Sequence, residues 1–161
     1  GLELIGLRYF NVFGRKQDPD GAYAAAIPKF IKAFINHQSP ILHGDGSQSR
    51  DFTYIDNVIQ ANELAATTNN PNALNQVYNV ACGSQSLLTE LIKDLRSLLS
   101  NFDSKIKDIT VINGPERVGD VKHSLASIDK ANKLLGYNPS HNLKEGLSSA
   151  IEWYWDYFKI N

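Results

Sequence analysis

Val77-Tyr78-Asn79-Val80-Ala81 is a run of β-branched and aromatic residues that ends shortly before Gly83. Such a run, bounded by polar residues and a glycine, predicts a buried strand. The next segment, from Ser86 to about Leu99, carries leucines at helical spacing and predicts an amphipathic helix. A strand followed by a helix is the repeating unit of α/β proteins, so this stretch indicates the fold class.

The same alternation continues on both sides of this stretch. Further strands are predicted over residues 3–9, 41–43, 51–53 and 109–112. Helices are predicted over residues 26–34, 57–67, 130–135 and 143–158, with Asp56, Ser86 and Asp129 as N-caps and Gly136 as a left-handed C-cap. The pattern predicts one α/β region over residues 1–161, without internal repeats or linkers.

Composition excludes several classes of partner. The chain has 161 residues, of which 42% are hydrophobic, and its net charge is −1. This balance gives no basic footprint for nucleic acid or an anionic membrane, and no apolar stretch approaches the length of a membrane span. A lone cysteine, Cys82, forms no intrachain disulfide and is predicted to be a buried, inert thiol. We therefore predict a cytoplasmic protein that binds neither nucleic acid nor membrane.

Two arginine motifs point to a phosphate-bearing ligand. They are Arg50-Asp51-Phe52-Thr53-Tyr54-Ile55-Asp56 and Glu116-Arg117-Val118-Gly119-Asp120. A guanidinium presents a planar fork of donors that matches phosphate oxygens, so two of them can neutralise and orient a diphosphate. The alternative is that each arginine forms an ordinary surface ion pair with its neighbouring aspartate.

A third motif, Leu7-Arg8-Tyr9-Phe10-Asn11-Val12-Phe13-Gly14, precedes these two. The three motifs in this order resemble the C-terminal half of the extended short-chain dehydrogenase/reductase family. Arg15-Lys16-Gln17-Asp18-Pro19 and Gly21-Ala22-Tyr23-Ala24-Ala25 resemble its UDP-N-acetylglucosamine 4-epimerase subgroup. The resemblance implies the C-terminal part of an NAD(P)-binding Rossmann-type protein, mainly its substrate-binding lobe with the last strands of the sheet.

The resemblance assigns nucleotide-binding roles to five residues. It implies that Arg50 and Arg117 bind the diphosphate, and that Asn11 offers its side-chain amide to the same group. Asp120 would accept hydrogen bonds from the ribose or orient an arginine, and His43 would lie beside the uracil. Taken alone, Asn11 is equally consistent with a turn cap and His43 with an exposed strand residue.

Other residues are assigned to the cofactor and the sugar. The resemblance implies that Tyr9 and Phe10 line the seam between nicotinamide and sugar. Ser124 lies where relatives restricted to UDP-glucose and UDP-galactose tend to carry tyrosine, so a serine would leave space for a 2-acetamido group. Ala25 and Gln17 would line the same part of the pocket. The alternative for Ser124 is a simple turn residue.

Two features of the family are missing from the sequence. Gly44-Asp45-Gly46 lacks a third glycine and a following helix, so no glycine-rich turn for the NAD pyrophosphate is present. None of the seven tyrosines has a lysine four residues later. We therefore expect NAD to be bound mainly by an N-terminal half outside this chain, with no catalytic residue in the chain itself. The chain alone is predicted to be inactive, and its histidines show no metal-ligand spacing.

These inferences lead to one expected function and two alternatives. We expect part of an NAD-dependent UDP-sugar 4-epimerase that interconverts UDP-GlcNAc and UDP-GalNAc, and also UDP-Glc and UDP-Gal, for surface polysaccharide synthesis. The parent enzyme is expected to be a homodimer. The alternatives are a fragment of a nucleotide-sugar 4,6-dehydratase and a non-catalytic nucleotide-binding module.

Overall fold

The computed structural model describes residues 1–18, 26–117 and 119–160, and these contain eight strands and five α-helices. The strands are β1 (Ile5–Tyr9), β2 (Val12–Phe13), β3 (Ile41–His43), β4 (Ser49–Arg50), β5 (Thr53–Tyr54), β6 (Gln76–Val80), β7 (Ser86–Leu87) and β8 (Ile112–Gly114). The helices are α1 (Ala26–Ile35), α2 (Ile55–Thr67), α3 (Leu88–Leu99), α4 (Asp129–Leu135) and α5 (Leu143–Ile160). Short 3₁₀ turns cover Pro71–Ala73 and Ser104–Asp108. The α/β prediction is confirmed.

The strands pair two by two. β1 runs parallel to β6, in register from Ile5 opposite Gln76 to Tyr9 opposite Val80. β2 is parallel to β5 and β3 is parallel to β8, whereas β4 and β7 are antiparallel. Because β1 and β6 are parallel and in register, Tyr9 and Val80 end at the same edge of their sheet.

The larger hydrophobic cluster lies between α1, α3 and α5. Each helix repeats apolar residues at intervals of three or four, so one face of each is buried. The cluster includes Ile27, Ile31 and Phe34 of α1, Leu91, Leu95 and Leu99 of α3, and Leu147, Ala150 and Tyr154 of α5. Phe13 and Tyr54 extend it to the β2–β5 pair, with their rings 5.5 Å apart. The helix predicted over residues 143–158 is therefore confirmed, and its apolar face is buried.

A second cluster lies between the β1–β6 pair and helices α2 and α4. It contains Val58 and Ala61 of α2, Tyr78 and Val80 of β6, and Ala131 and Leu135 of α4. Gly136 ends α4 in the left-handed conformation, at φ 71°, as the sequence predicts. This conformation brings the following Tyr137 into the cluster, where its hydroxyl donates to the Ala81 carbonyl at 2.8 Å.

The predicted N-caps are wrong. α2 begins at Ile55, so Asp56 lies inside its first turn, 3.8 Å from Arg15. α3 begins at Leu88, and Ser86 belongs to β7. α4 begins at Asp129 rather than after it. The first two differences have one cause: β5 and β7 continue directly into their helices, so strand pairing fixes the residues at each junction.

Two predicted strands are also displaced. The strand expected over residues 109–112 begins only at Ile112, where its amide donates to the Pro40 carbonyl at 3.0 Å. Ile109 and Val111 instead pack against the larger hydrophobic cluster. The strand expected over residues 51–53 is divided into β4 and β5, because the Asp51 side chain between them accepts hydrogen bonds from other segments.

Asp51 is a fully buried carboxylate that joins three segments of the chain. Its Oδ1 accepts from the Cys82 amide at 2.8 Å. Its Oδ2 accepts from the Gly83 amide at 3.0 Å and the Ala126 amide at 3.4 Å. Burial raises the pKa of the Asp51 carboxyl, while these three backbone donors act in the opposite direction. The carboxylate therefore fixes the end of β6 and the segment before α4 against the β4–β5 junction.

Gly146 is where α5 packs most tightly against the β2–β5 pair. A Cβ at this position would lie 2.8 Å from the Phe13 ring and from Cβ and Cγ of Tyr54. We expect Gly146→Ala to lower the free energy of unfolding by about 1–3 kcal/mol through overpacking. The exposed Ser148→Ala on the same helix should be neutral or stabilising by about 0.5 kcal/mol. Urea unfolding measures both, and equal stabilities would contradict this packing.

Asp51→Asn should also destabilise the fold. An amide nitrogen would replace one acceptor oxygen and direct its N–H groups at backbone N–H groups, leaving buried donors unpaired. We expect a loss of about 1–3 kcal/mol in the free energy of unfolding at neutral pH. Asp108→Asn removes a charge at an exposed position and serves as the matched control. If both variants unfold at the same urea concentration, Asp51 does not join the three segments energetically.

Candidate functional site

Strand pairing brings the two arginine motifs together. β3 and β8 align residues 41–43 with residues 112–114, and an isolated bridge pairs Ser49 with His123. Three backbone hydrogen bonds of 3.0 Å extend the pairing: Gly44 to Gly114, Ser49 to Lys122, and Ser124 to Ser49. Two segments about 70 residues apart in sequence therefore run side by side.

Arg50 is fixed by the segment that contains the second motif. Its Nη1 donates to the carbonyls of Ser49 at 2.9 Å and Lys122 at 3.2 Å, and its Nη2 contacts the Asp120 carboxylate. Only 14% of the Arg50 side chain is exposed. Three of the five guanidinium N–H groups donate to these described residues, so the side chain is oriented. The other two N–H groups are left for a ligand. The Asp120 contact is of the arginine-orienting kind.

Asp120 of this pair lines a cavity of about 400 Å³, whereas Arg50 is not part of the lining. Its lining includes His43, Arg117 and Asp120, three of the residues that the sequence predicts as site residues. The remaining lining residues are Ala26, Lys29, Phe30, Ala33, Gln38, Ser39, Pro40, Ile41, Leu42 and Leu88. The volume lies within the range of small-ligand pockets, and the lining combines apolar side chains with a few charged ones.

The sequence analysis missed the contribution of α1 to this cavity. Ala26, Lys29, Phe30 and Ala33 recur at intervals of three and four, which places them on one face of the helix. That spacing was visible in the sequence. It was read only as evidence for the helix, and Lys29 was therefore not considered as a cation near the ligand.

His43 and Arg117 differ in how firmly they are held. His43 Nδ1 lies 3.0 Å from the Pro115 carbonyl oxygen, and because a carbonyl only accepts, Nδ1 carries the proton. Arg117 is exposed at the mouth of the cavity. No hydrogen bond or ion pair joins its side chain to another residue in the described ranges. His43 is thus oriented by the protein, whereas no contact among the described residues orients the Arg117 side chain.

Asn11 and Tyr9 contact the protein at the carboxyl end of β1. Asn11 adopts a left-handed conformation, at φ 36°, and its Nδ2 donates to the Asp51 carbonyl at 3.1 Å. This contact matches the alternative reading of Asn11 as a residue that fixes a turn. The Tyr9 hydroxyl donates to Asn62 Oδ1 at 3.1 Å, and Phe10 follows β1 with its amide bonded to the Val80 carbonyl. Their predicted contacts with diphosphate and nicotinamide stay predictions.

Gln17 and Ser124 are not among the residues that line the 400 Å³ cavity. Gln17 Nε2 donates to the Val12 carbonyl at 3.0 Å, and its Oε1 accepts from the Tyr154 hydroxyl at 3.4 Å. Ser124 is half-buried, and its backbone amide donates to the carbonyl of Ser49, the residue before Arg50. Ala25 lies outside the described residues. The grouping of these three residues around the sugar therefore stays a prediction.

Several titratable groups outside the cavity lining are buried or hydrogen-bonded to the protein. Burial raises the pKa of four phenols, those of Tyr54, Tyr78, Tyr137 and Tyr154. Burial also raises the pKa of the half-buried Cys82 thiol, which donates to the His141 carbonyl at 3.6 Å. Within the described ranges, no group of three His, Cys, Asp or Glu side chains is placed to hold a metal ion. No helix there is long and apolar enough to cross a membrane.

Solved structures with the same fold include nucleotide-sugar enzymes. UDP-N-acetylglucosamine 4-epimerase from Methanobrevibacter ruminantium M1, in complex with UDP-N-acetylmuramic acid, matches with a TM-score of 0.85 at 39% identity. The match covers 97% of this chain and 47% of that one. The prediction of a Rossmann-type short-chain dehydrogenase/reductase region is confirmed by this likeness.

Curated relatives agree with the structural match. A putative UDP-glucose 4-epimerase of Methanocaldococcus jannaschii is 35% identical over 153 residues, covering 95% of this chain and 46% of the relative. A UDP-N-acetyl-alpha-D-glucosaminuronate decarboxylase of Bacillus cytotoxicus is 27% identical over 155 residues, covering 96% and 47%. The chain therefore spans about half the length of the curated relatives it matches. The model of the NAD dependent epimerase/dehydratase family matches residues 1–81, half of the 161 residues, and the chain belongs to this family.

Proposed function

We propose that residues 1–161 are the C-terminal, nucleotide-sugar-binding region of an NAD-dependent UDP-sugar 4-epimerase. The observation that carries the proposal is the fixed Arg50–Asp120 pair beside a cavity that also contains Arg117 and His43. The names of the relatives support the substrate class, since each of the three acts on, or is bound to, a UDP-linked sugar by its description. The proposed substrates are UDP-GlcNAc and UDP-GalNAc, with UDP-Glc and UDP-Gal as a second pair.

Arg50 and Arg117 are proposed to bind the diphosphate from two sides. Arg50 is already oriented, so little side-chain entropy is lost when its two remaining donors meet phosphate oxygens. Asp120 compensates its charge, so a second cation is needed for a diphosphate. Arg117 supplies that cation, and Lys29 on α1 adds a third positive charge in the cavity lining. A negatively charged diphosphate is therefore complementary to this part of the cavity.

His43 is proposed to contact the uracil. Its Nδ1–H is engaged with Pro115, which orients the ring and leaves Nε2 as an acceptor. The cavity wall beside it includes Phe30, Ile41 and Leu88. A planar base inserted between these side chains would bury apolar area while one polar edge meets the imidazole. This arrangement supports a nucleotide rather than a free phosphorylated sugar.

NAD is proposed as the cofactor of the complete enzyme, in which it would take a hydride from the sugar and return it. The described residues do not fit its pyrophosphate. β1 leads through Asn11 into β2, and no strand in the described ranges leads through a glycine-rich turn into a helix. Tyr9 and Phe10 are the residues proposed to approach the nicotinamide. Proton transfer and most cofactor binding are therefore assigned to residues outside this chain.

The proposed reaction has distinguishable rivals. A 4,6-dehydratase would release water and form a 4-keto-6-deoxy sugar, whereas a decarboxylase, like the Bacillus cytotoxicus relative, would need a UDP-uronic acid and release carbon dioxide. A non-catalytic module would bind UDP-sugar unchanged. Incubating the complete NAD-loaded enzyme with UDP-GlcNAc and resolving the products by NMR discriminates these outcomes. Formation of UDP-GalNAc supports the proposal, and any other outcome contradicts it. We also propose that the complete enzyme is a cytoplasmic homodimer that serves surface polysaccharide synthesis.

Removing either arginine should weaken binding. A charge-assisted hydrogen bond contributes roughly 1.5–3 kcal/mol, so Arg50→Ala and Arg117→Ala should each raise the Kd for UDP about tenfold or more in the complete enzyme. Calorimetric titration with UDP measures the effect. Lys107→Ala removes an exposed charge from a 3₁₀ turn that does not line the cavity, and its Kd should equal that of the wild type. Equal losses for all three variants would indicate only a general charge effect.

Ser124→Tyr tests the proposed preference for N-acetylated sugars. A phenol ring would fill the space proposed for the acetamido group, and overpacking of this kind costs about 1–3 kcal/mol. We expect kcat/KM for UDP-GlcNAc and UDP-GalNAc to fall about ten- to a hundredfold, with UDP-Glc and UDP-Gal little affected. Ser124→Ala is the control and should preserve turnover of all four sugars. Equal losses for acetylated and plain sugars would show that Ser124 does not select for sugar size.

A further inference from the structure

Gln48 has a buried side-chain amide, and among the described residues only one end of that amide has a hydrogen-bond partner. It is 8% exposed, and its Nε2 donates to the His43 carbonyl at 2.9 Å. Its Oε1 is buried and has no hydrogen-bond partner among the described residues. Buried side-chain oxygens of this kind are almost always bonded, so an unpaired one indicates a missing donor.

The surroundings of Gln48 limit what that donor is. Gln48 lines a cavity of about 80 Å³ together with Asp45, Glu116, Arg117, Asp120 and Lys122. This volume is too small for a nucleotide. The cationic side chains in the lining are those of Arg117 and Lys122. Of these two, Arg117 also lines the 400 Å³ cavity, so it is the donor that connects Gln48 with the proposed ligand site.

The loop before Gln48 passes close to the Gln48 side-chain amide at Gly44. Gly44 adopts φ 75°, and a Cβ there would lie 2.5 Å from Gln48 Nε2 and 3.3 Å from Glu116 Cγ. A side chain at residue 44 would therefore push the amide out of place. Gly44 and the His43 carbonyl together fix the direction of the Gln48 side chain beside the segment that carries Arg117.

We propose that Gln48 is a positioning residue whose Oε1 accepts a hydrogen bond from the Arg117 guanidinium and holds it toward the ligand diphosphate. Arg50 is oriented by Asp120, whereas Arg117 would acquire its orientation from Gln48 as the ligand binds. The inference rests on the proposed function, because it concerns the same diphosphate site. It adds a neutral residue that would touch neither the ligand nor the reacting atoms.

A double-mutant cycle in the complete enzyme tests the proposal, with UDP and uridine as probes. Gln48→Met keeps the shape of the side chain but removes both the Oε1 acceptor and the Nε2 donor to the His43 carbonyl, and the uridine measurement reports any effect of losing the donor. We expect the Kd for UDP to rise about five- to tenfold. Uridine, which has no phosphate, should bind as in the wild type. In an Arg117→Ala background, Gln48→Met should have no further effect on UDP, because its partner is already gone. Gln85→Ala at an exposed position is the matched control.

The outcomes separate this proposal from the proposed function. If the wild type binds UDP and Arg117→Ala weakens binding, but Gln48→Met does not, only the role of Gln48 is overturned. Additive effects in the cycle, or an equal loss of uridine binding, overturn it as well, because they indicate a structural role. If the wild type does not bind UDP, both proposals fail. Should Gln48→Met not fold, Gln48→Leu removes the same acceptor and provides the same cycle, with coupling to Arg117 again required.

Discussion

The buried Asp51 carboxylate is the constraint on which the candidate site depends. Three backbone amides, from two segments far apart in sequence, converge on its two oxygens. A buried carboxylate without such partners would be costly, so these donors define one arrangement of the surrounding loops. Because Arg50 immediately precedes Asp51, fixing the carboxylate in the interior also fixes the backbone from which the arginine reaches Lys122 and Asp120.

A second buried polar residue plays a similar part nearby, and Cys82 contacts both Asp51 and His141, the partner of this second residue. Asn57, at the start of α2, is fully buried; its Nδ2 donates to the His141 carbonyl and its Oδ1 accepts from the amides of Ser140 and His141. These bonds hold the chain just before α5. α5 then packs through Gly146 against the β2–β5 pair, which adjoins Asp51. The polar contacts therefore set the register in which the two hydrophobic clusters meet.

The sequence predicted the elements that are defined by their own side chains. The apolar periodicities of α1, α3 and α5, the strand at β6 and the glycine cap of α4 all lie where local pattern and burial agree. The junctions were mispredicted, since at β5–α2 and β7–α3 pairing with distant strands determines where a helix begins. The resemblance left open whether Asp120 meets the ribose or an arginine, and its contact with Arg50 depends on β3 and β8 pairing across about 70 residues. Lys29 and Gln48 were missed because each reads locally as an ordinary helix or turn residue.

Arg50 and Arg117 differ in how firmly the protein holds their side chains. Arg50 is fixed before any ligand arrives, so its contribution to affinity is not reduced by the loss of side-chain freedom. The exposed Arg117 side chain has no hydrogen-bond or ion-pair partner among the described residues, so in the proposed complex it would lose freedom that Arg50 has already lost. A site with one pre-oriented cation and one that becomes oriented on binding could place a diphosphate precisely while allowing it to enter and leave. In an epimerase, whose sugar must turn over within the site, a firm hold on the diphosphate by Arg50 would keep the nucleotide in place while the sugar reorients.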